Sequence, residues 1–107
     1  MAKIAFSEND EYGSWRLISR HSGGGNSSVW KVKHLENGEE RIMKLLRKTH
    51  DTAKLRFQDE IKIISENQDN EGVMRILDSS PHSETPWYVM PESQTLNKVL
   101  KTRIQQL

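Results

Sequence analysis

The stretch Ser22-Gly-Gly-Gly-Asn-Ser-Ser-Val-Trp-Lys31, with Arg41-Ile-Met-Lys-Leu-Leu46 following it, decides how the rest of the chain reads. Turn formers dominate Ser22 to Ser28, and apolar and polar residues mix at strand-like spacing on both sides, in Trp15-Arg-Leu-Ile-Ser-Arg-His21 and in Val29-Trp-Lys-Val-Lys-His-Leu35. The expected organisation is strand, flexible loop, strand. A Gly-rich loop so placed can bring backbone N–H groups close to phosphate oxygens, because residues without Cβ permit the approach and the dihedrals. Gly23, Gly24 and Gly25 have that capacity, although three glycines in a row are more often only a mobile turn.

Downstream, Glu36-Asn-Gly-Glu39 supplies an Asn-Gly turn into a third strand, Arg41 to Leu46, the strongest hairpin signal in the chain. From Asp51 the period becomes helical, carried by Leu55, Phe57, Ile61 and Ile64, with Asp51 or Thr52 as cap and an end near Asn67. Gln68 to Gly72 breaks the helix. Val73-Met-Arg-Ile-Leu77 then reads as a strand, Pro81 to Pro86 as a turn, and Trp87-Tyr-Val-Met90 as a short apolar strand stopped by Pro91. Thr95 to Leu107 lacks Gly and Pro and aligns Leu96, Val99, Leu100 and Ile104 on one helical face. The sum is α+β: an antiparallel sheet crossed by one helix, with a second helix at the end.

The 107 residues suit one core. Sixteen basic against fifteen acidic residues leave a net charge of +1, so no global field recruits nucleic acid or an anionic membrane. The absence of cysteine excludes disulfides and thiolate metal sites and fits a reducing compartment. Neither the start, Met1-Ala-Lys-Ile-Ala-Phe-Ser-Glu-Asn-Asp10, nor any later stretch approaches the ~20 apolar residues of a membrane span, and a soluble cytoplasmic protein is expected.

Two charges complete the pattern. Lys44 lies inside the apolar strand Ile42-Met-Lys-Leu-Leu46, where an ammonium is disfavoured unless it faces water or meets an anion. Glu60, in Arg56-Phe-Gln-Asp-Glu-Ile61, can pair with it from the helix and aim it at phosphates. Read singly, each is an ordinary exposed charge. Together, Gly-rich loop, strand lysine and helix glutamate follow the order and spacing of the protein-kinase signature, and the chain resembles the amino-terminal lobe of a eukaryotic-type Ser/Thr protein kinase.

The resemblance covers about Trp15 to Leu96. Val29 resembles the valine that closes the family's G-x-G-x-x-G-x-V loop, which puts Ser22, Gly24 and Ser27 at the three glycine positions. Arg41-Ile-Met-Lys44 resembles V-A-I-K, fifteen residues after Val29, so Lys44 would contact the α- and β-phosphates of ATP. Arg56-Phe-x-x-Glu60-Ile resembles the helix segment that carries the family's glutamate. Pro86 to Glu92 resembles the last strand and hinge, with Met90 as gatekeeper and Pro91, Glu92 and Ser93 facing adenine. Ile64 and Leu77 would join the hydrophobic regulatory spine. The loop keeps only its central glycine, and Ile42 stands where the family usually has alanine, which narrows the adenine pocket.

The implied layout is an extension over 1–14, the nucleotide lobe of five strands and one helix over 15–92, and a hinge exit leading into a helix over 93–107. No H-R-D-type or D-F-G-type segment occurs, so the catalytic base and Mg2+ ligands are expected in a carboxy-terminal lobe, and the chain alone is expected to be inactive as a transferase. The first expectation is an ATP-binding fragment. A second is a stand-alone split-kinase or pseudokinase module that docks a partner. A third, least favoured, is a sheet domain in which Lys31, Lys33, Arg41 and Lys44 form a solvated or weakly nucleic-acid-binding face. A lobe cut at the hinge should expose apolar surface around Leu77, Met90 and the tail helix, so self-association through the exposed lobe interface is expected as well.

Overall fold

The computed structural model describes residues 5–48, 50–68 and 75–92. Strands β1 (Glu11–Tyr12), β2 (Trp15–Gly24), β3 (Ser27–His34), β4 (Glu40–Leu46), β5 (Asp78–Ser80) and β6 (Trp87–Met90) form one antiparallel sheet in the order β1-β2-β3-β4-β6-β5, with helix α1 (Asp51–Glu66) after β4. The expected sheet and helix are present, but the sheet has six strands rather than five. The extra strand, β1, comes from the segment assigned to an extension. Gly13 makes it possible: its φ of +59° turns the chain so that Tyr12 pairs with Trp15.

Side-chain alternation along β3 and β4 gives the sheet two apolar faces. One buries Trp15, Leu17, Trp30, Val32, Met43, Leu45, Trp87 and Val89, with Phe6 and Tyr12 packed against them. All three tryptophans of the chain lie here. This cluster explains the curl of the sheet, because its two ends meet around it: Trp15 Nε1 on β2 donates to Asp78 Oδ2 on β5 at 2.9 Å, and the Trp87 ring of β6 lies against Gly13. The opposite face carries Ile42, Leu46, Tyr88 and Met90 and is covered by Ala53, Phe57 and Ile61 of α1, with Val29, Ile64 and Ile76 at the margin.

Several local expectations are corrected. Most of the Gly-rich stretch is strand: Gly24 pairs with Ser27, Gly23 with Ser28 and Ser22 with Val29, so the turn narrows to Gly25 and Asn26. Gly25 takes the left-handed φ of +59° there. The cap of α1 is His50, whose Nδ1 accepts from the Ala53 N–H at 3.2 Å, not Asp51 or Thr52, which lie in the first turn. Leu55, included in the apolar stripe, is 61% exposed, and the true stripe is Ala53, Phe57 and Ile61 at a strict four-residue step.

The strand expected over Val73 to Leu77 begins later, at Asp78. Val73 and Met74 lie outside the described residues. Over Arg75 to Leu77 the backbone is diverted toward the helix end, with the Ile76 N–H donating to the Gln68 side-chain oxygen at 3.0 Å. Ile76 in consequence turns into the α1 face beside Ile64, while Leu77 is 45% exposed. Of the pair Ile64 and Leu77 named from the sequence, only Ile64 packs at this face, and Ile76 is the residue of 75–77 that joins it. The expected terminal helix over Thr95 to Leu107, and Ser93, lie outside the described residues.

Candidate functional site

Register brings the separate signals to one place. Val29 on β3 stands opposite Lys44 on β4, and Lys44 opposite Tyr88 on β6, so the three form a row across the sheet. Ile42 and Met90 form the neighbouring row. Lys44 points to the α1 face because it shares the parity of Ile42 and Leu46, both buried there. The strand thus holds an ammonium stem in apolar surroundings and leaves its tip at the edge of the core.

The tip meets α1. Lys44 Nζ lies 2.9 Å from Glu60 Oε2, with the two side chains 26% and 37% exposed. Glu60 is three residues after Phe57, hence on the helix face that packs on the sheet. The same Oε2 accepts a hydrogen bond from the Tyr88 hydroxyl at 2.5 Å. Burial pushes the Tyr88 phenol well above its ordinary range, and the adjacent Glu60 carboxylate, as hydrogen-bond acceptor and as charge, pushes it the same way. Tyr88 is therefore a neutral donor, and its ring lies 5.9 Å from Lys44 Nζ.

A cavity of about 310 Å³ opens between Lys44, the Asn26–Ser27 end of the β2–β3 turn, and the first half of α1. Lys48, His50 and Arg56 also line it. Four nitrogenous groups thus surround the space against one carboxylate, Glu60, an arrangement that can accept an anionic group too large for one ammonium. No ion pair involves Lys48 or Arg56 among the described residues, whereas Lys44 is engaged.

Of the residues singled out in the sequence, Ser27, Lys44 and Glu60 line this cavity, and Val29 joins them through the register. Ser22, Gly23 and Gly24 do not line it and form the β2 side of the hairpin, and Gly25 forms the tip, with no atom within 4 Å of where a Cβ would stand. Ile42 and Met90 are covered, at 5% and 8% exposure, and Pro91 follows Met90 out of β6. Glu92 is held by Lys31 at 3.4 Å, and Lys31 also meets Glu40 at 3.2 Å. That pairing, led by the Glu40 hydrogen bond, holds the Lys31 ammonium above its usual range.

Sequence reading missed Tyr88, Lys48, His50 and Arg56. For Tyr88 a signal existed: one hydroxyl within the apolar run Trp87 to Met90, two residues before Met90 and hence on the same face. For the other three, which lie around the start of α1, no periodicity marks the positions that face the hairpin. Among the described residues no cluster of His, Asp or Glu is arranged to hold a metal, and no helix is long and apolar enough to cross a membrane.

Comparison with known proteins shows the same architecture elsewhere. No protein-family model and no curated protein matches the chain. Among solved structures, the kinase domain of PF14_0431 superposes with a TM-score of 0.73 at 10% identity, over 84% of this chain and 28% of that one. Two mutant forms of the Mycobacterium tuberculosis PknI kinase domain give TM-scores of 0.64 and 0.65 at 15% identity, over 82% and 85% of this chain and 36% and 38% of theirs. The chain spans about a third of the length of the domains it matches. A curled antiparallel sheet with a single helix across one face is the architecture held in common with these kinase domains, and the chain has the fold of a kinase amino-terminal lobe.

Proposed function

We propose that the chain is the ATP-binding lobe of a Ser/Thr-type protein kinase. The observation that carries this reading is the Lys44–Glu60 pair, 2.9 Å long, at the floor of a cation-lined cavity beneath the β2–β3 turn. The kinase fold supports it independently. Lys44 would take the α- and β-phosphates, with backbone N–H groups of Ser22 to Ser27 closing over them and Val29, Ile42 and Met90 bounding adenine. Pro91, Glu92 and Ser93 would form the hinge, adenine's amino group using the Pro91 carbonyl.

In this reading the chain alone does not transfer phosphoryl groups. Its partner is a kinase carboxy-terminal lobe, which brings the catalytic base and the Mg2+ ligands. The cysteine-free sequence fits a reducing compartment, and we place the protein in the cytoplasm.

Calorimetry of ATP binding, with and without Mg2+, tests the reading on the wild-type chain and on Lys44→Ala. Saturable binding that the substitution weakens by about tenfold or more is expected, the loss of a charged hydrogen-bond donor to phosphate. An absence of binding at millimolar ATP, or binding indifferent to Lys44→Ala, would refute it.

A further inference from the structure

We propose that Tyr88 is a positioning residue that keeps Glu60, and with it α1, docked beside Lys44 whether or not a nucleotide is bound. The inference rests on the reading of Lys44 as a phosphate-binding lysine for its functional meaning, but not for its geometry. The ion pair by itself is a weak fastening, since both side chains are partly open to water and salt. Tyr88 supplies a second one from the rigid side. It is 2% exposed, sits on the inner strand β6 directly opposite Lys44, and touches α1 at two positions on one helical face. Its ring lies against Phe57 at 5.5 Å between centroids, and its hydroxyl donates to Glu60 Oε2.

The geometry has a consequence for how Lys44 works. Two donors converge on one carboxylate oxygen, so Lys44 can swing toward an incoming phosphate without releasing Glu60, because the phenol still holds it. Conversely, moving α1 away from the sheet would strip the ammonium of its partner, break the phenol–carboxylate bond and uncover the Tyr88 ring that packs on Phe57. Among the described residues, no fully buried side-chain nitrogen or oxygen lacks a hydrogen-bond partner. In the wild-type chain α1 thus stays docked whether the cavity is empty or filled.

Amide hydrogen exchange along Asp51–Glu66 tests this on four proteins: wild type, Tyr88→Phe, Lys44→Met and the double variant. Tyr88→Phe keeps the ring and its packing on Phe57 and removes only the donor. Lys44→Met alone should change α1 exchange by less than about twofold, because an exposed pair contributes little. Tyr88→Phe should raise it several-fold, and the double variant by more than the product of the two, while exchange in β3 and β4 stays as in wild type. A general loosening of the core would raise exchange in the strands as well, and that result, or wild-type exchange in α1 of the double variant, would overturn the proposal. If Tyr88→Phe fails to fold, Glu60→Ala removes the acceptor instead, with the same helix-selective rise expected and the same contrary results counting against it.

Nucleotide affinity gives a second readout. Tyr88→Phe should weaken ATP binding several-fold in the wild-type background and have no further effect in Lys44→Met. If the wild-type chain binds no ATP, the ATP-lobe reading fails while the exchange pattern still decides the role of Tyr88.

Discussion

Lys44 and Tyr88, register partners on β4 and β6, donate to the same oxygen, Glu60 Oε2, at 2.9 and 2.5 Å. Adjacent strands of one sheet hold these two side chains side by side, since their spacing is set by backbone hydrogen bonds and not by the flexible stems. The helix contributes one residue to the cluster and the sheet contributes two. The Lys44–Glu60 contact therefore depends on how α1 seats on β4 and β6.

Lys44→Ala should separate binding from folding. The pair it removes is partly exposed, so the stability change should stay below about 1 kcal/mol. ATP affinity should fall by about tenfold or more. Thermal unfolding and calorimetry on the same sample check both halves.

Alkaline pH should weaken the fold through Tyr88. Its phenol is held above its ordinary value in the folded chain, first by burial and then by the Glu60 carboxylate, whereas the unfolded chain releases this proton near the ordinary tyrosine value. Below that value both states keep the proton and the contribution is fully present; above about pH 10 the unfolded state loses it first, so stability declines as pH rises. Denaturant titrations at pH 8 and pH 11 should show this decline, and Tyr88→Phe should reduce it.

Gly13→Ala should cost about 2–4 kcal/mol, from left-handed backbone and overpacking together. The residue sits at φ +59°, and an added Cβ would lie 2.7 Å from the buried Trp87 ring. The turn joining β1 to β2 and the seam between the two sheet ends would both suffer. A fall in the denaturation midpoint measures it. Gly25→Ala, at the same φ but with open space around it, should cost only the backbone part, about 1–2 kcal/mol.

Ile76→Ala and Leu77→Ala should differ in size. Ile76 packs into the α1 face and should lose about 1–2 kcal/mol on truncation, less than a fully buried isoleucine. Leu77, at 45% exposure, should lose about 0.5 kcal/mol or less. Equal losses would show that both side chains pack into the core.

The candidate site was legible in part. Lys44 announced itself as a charge in an apolar strand, and the distance along the chain from Ser22 to Lys44 to Glu60 matched a known order before any contact was visible. Tyr88 is marked only as a hydroxyl in the apolar run on the face of Met90, which says nothing of which carboxylate it reaches. Ile76 and Leu77 show the same limit: adjacent apolar residues are indistinguishable until the backbone turns one of them inward, and here the hydrogen bond from Ile76 to Gln68 accompanies that turn.

By itself the sequence determined the element types and their order, since period-2 and period-3.6 patterning, the Asn-Gly turn and the prolines act over a few residues and are written locally. Tertiary structure alone decided the rest: that β6 lies between β4 and β5, that Glu11 and Tyr12 add a strand, that most of the Gly-rich stretch is ladder, and that Lys44, Glu60 and Tyr88 converge. Each of those outcomes depends on residues tens of positions apart meeting across a curled sheet, and the burial of Trp15, Trp30 and Trp87 on its inner face sets that curl.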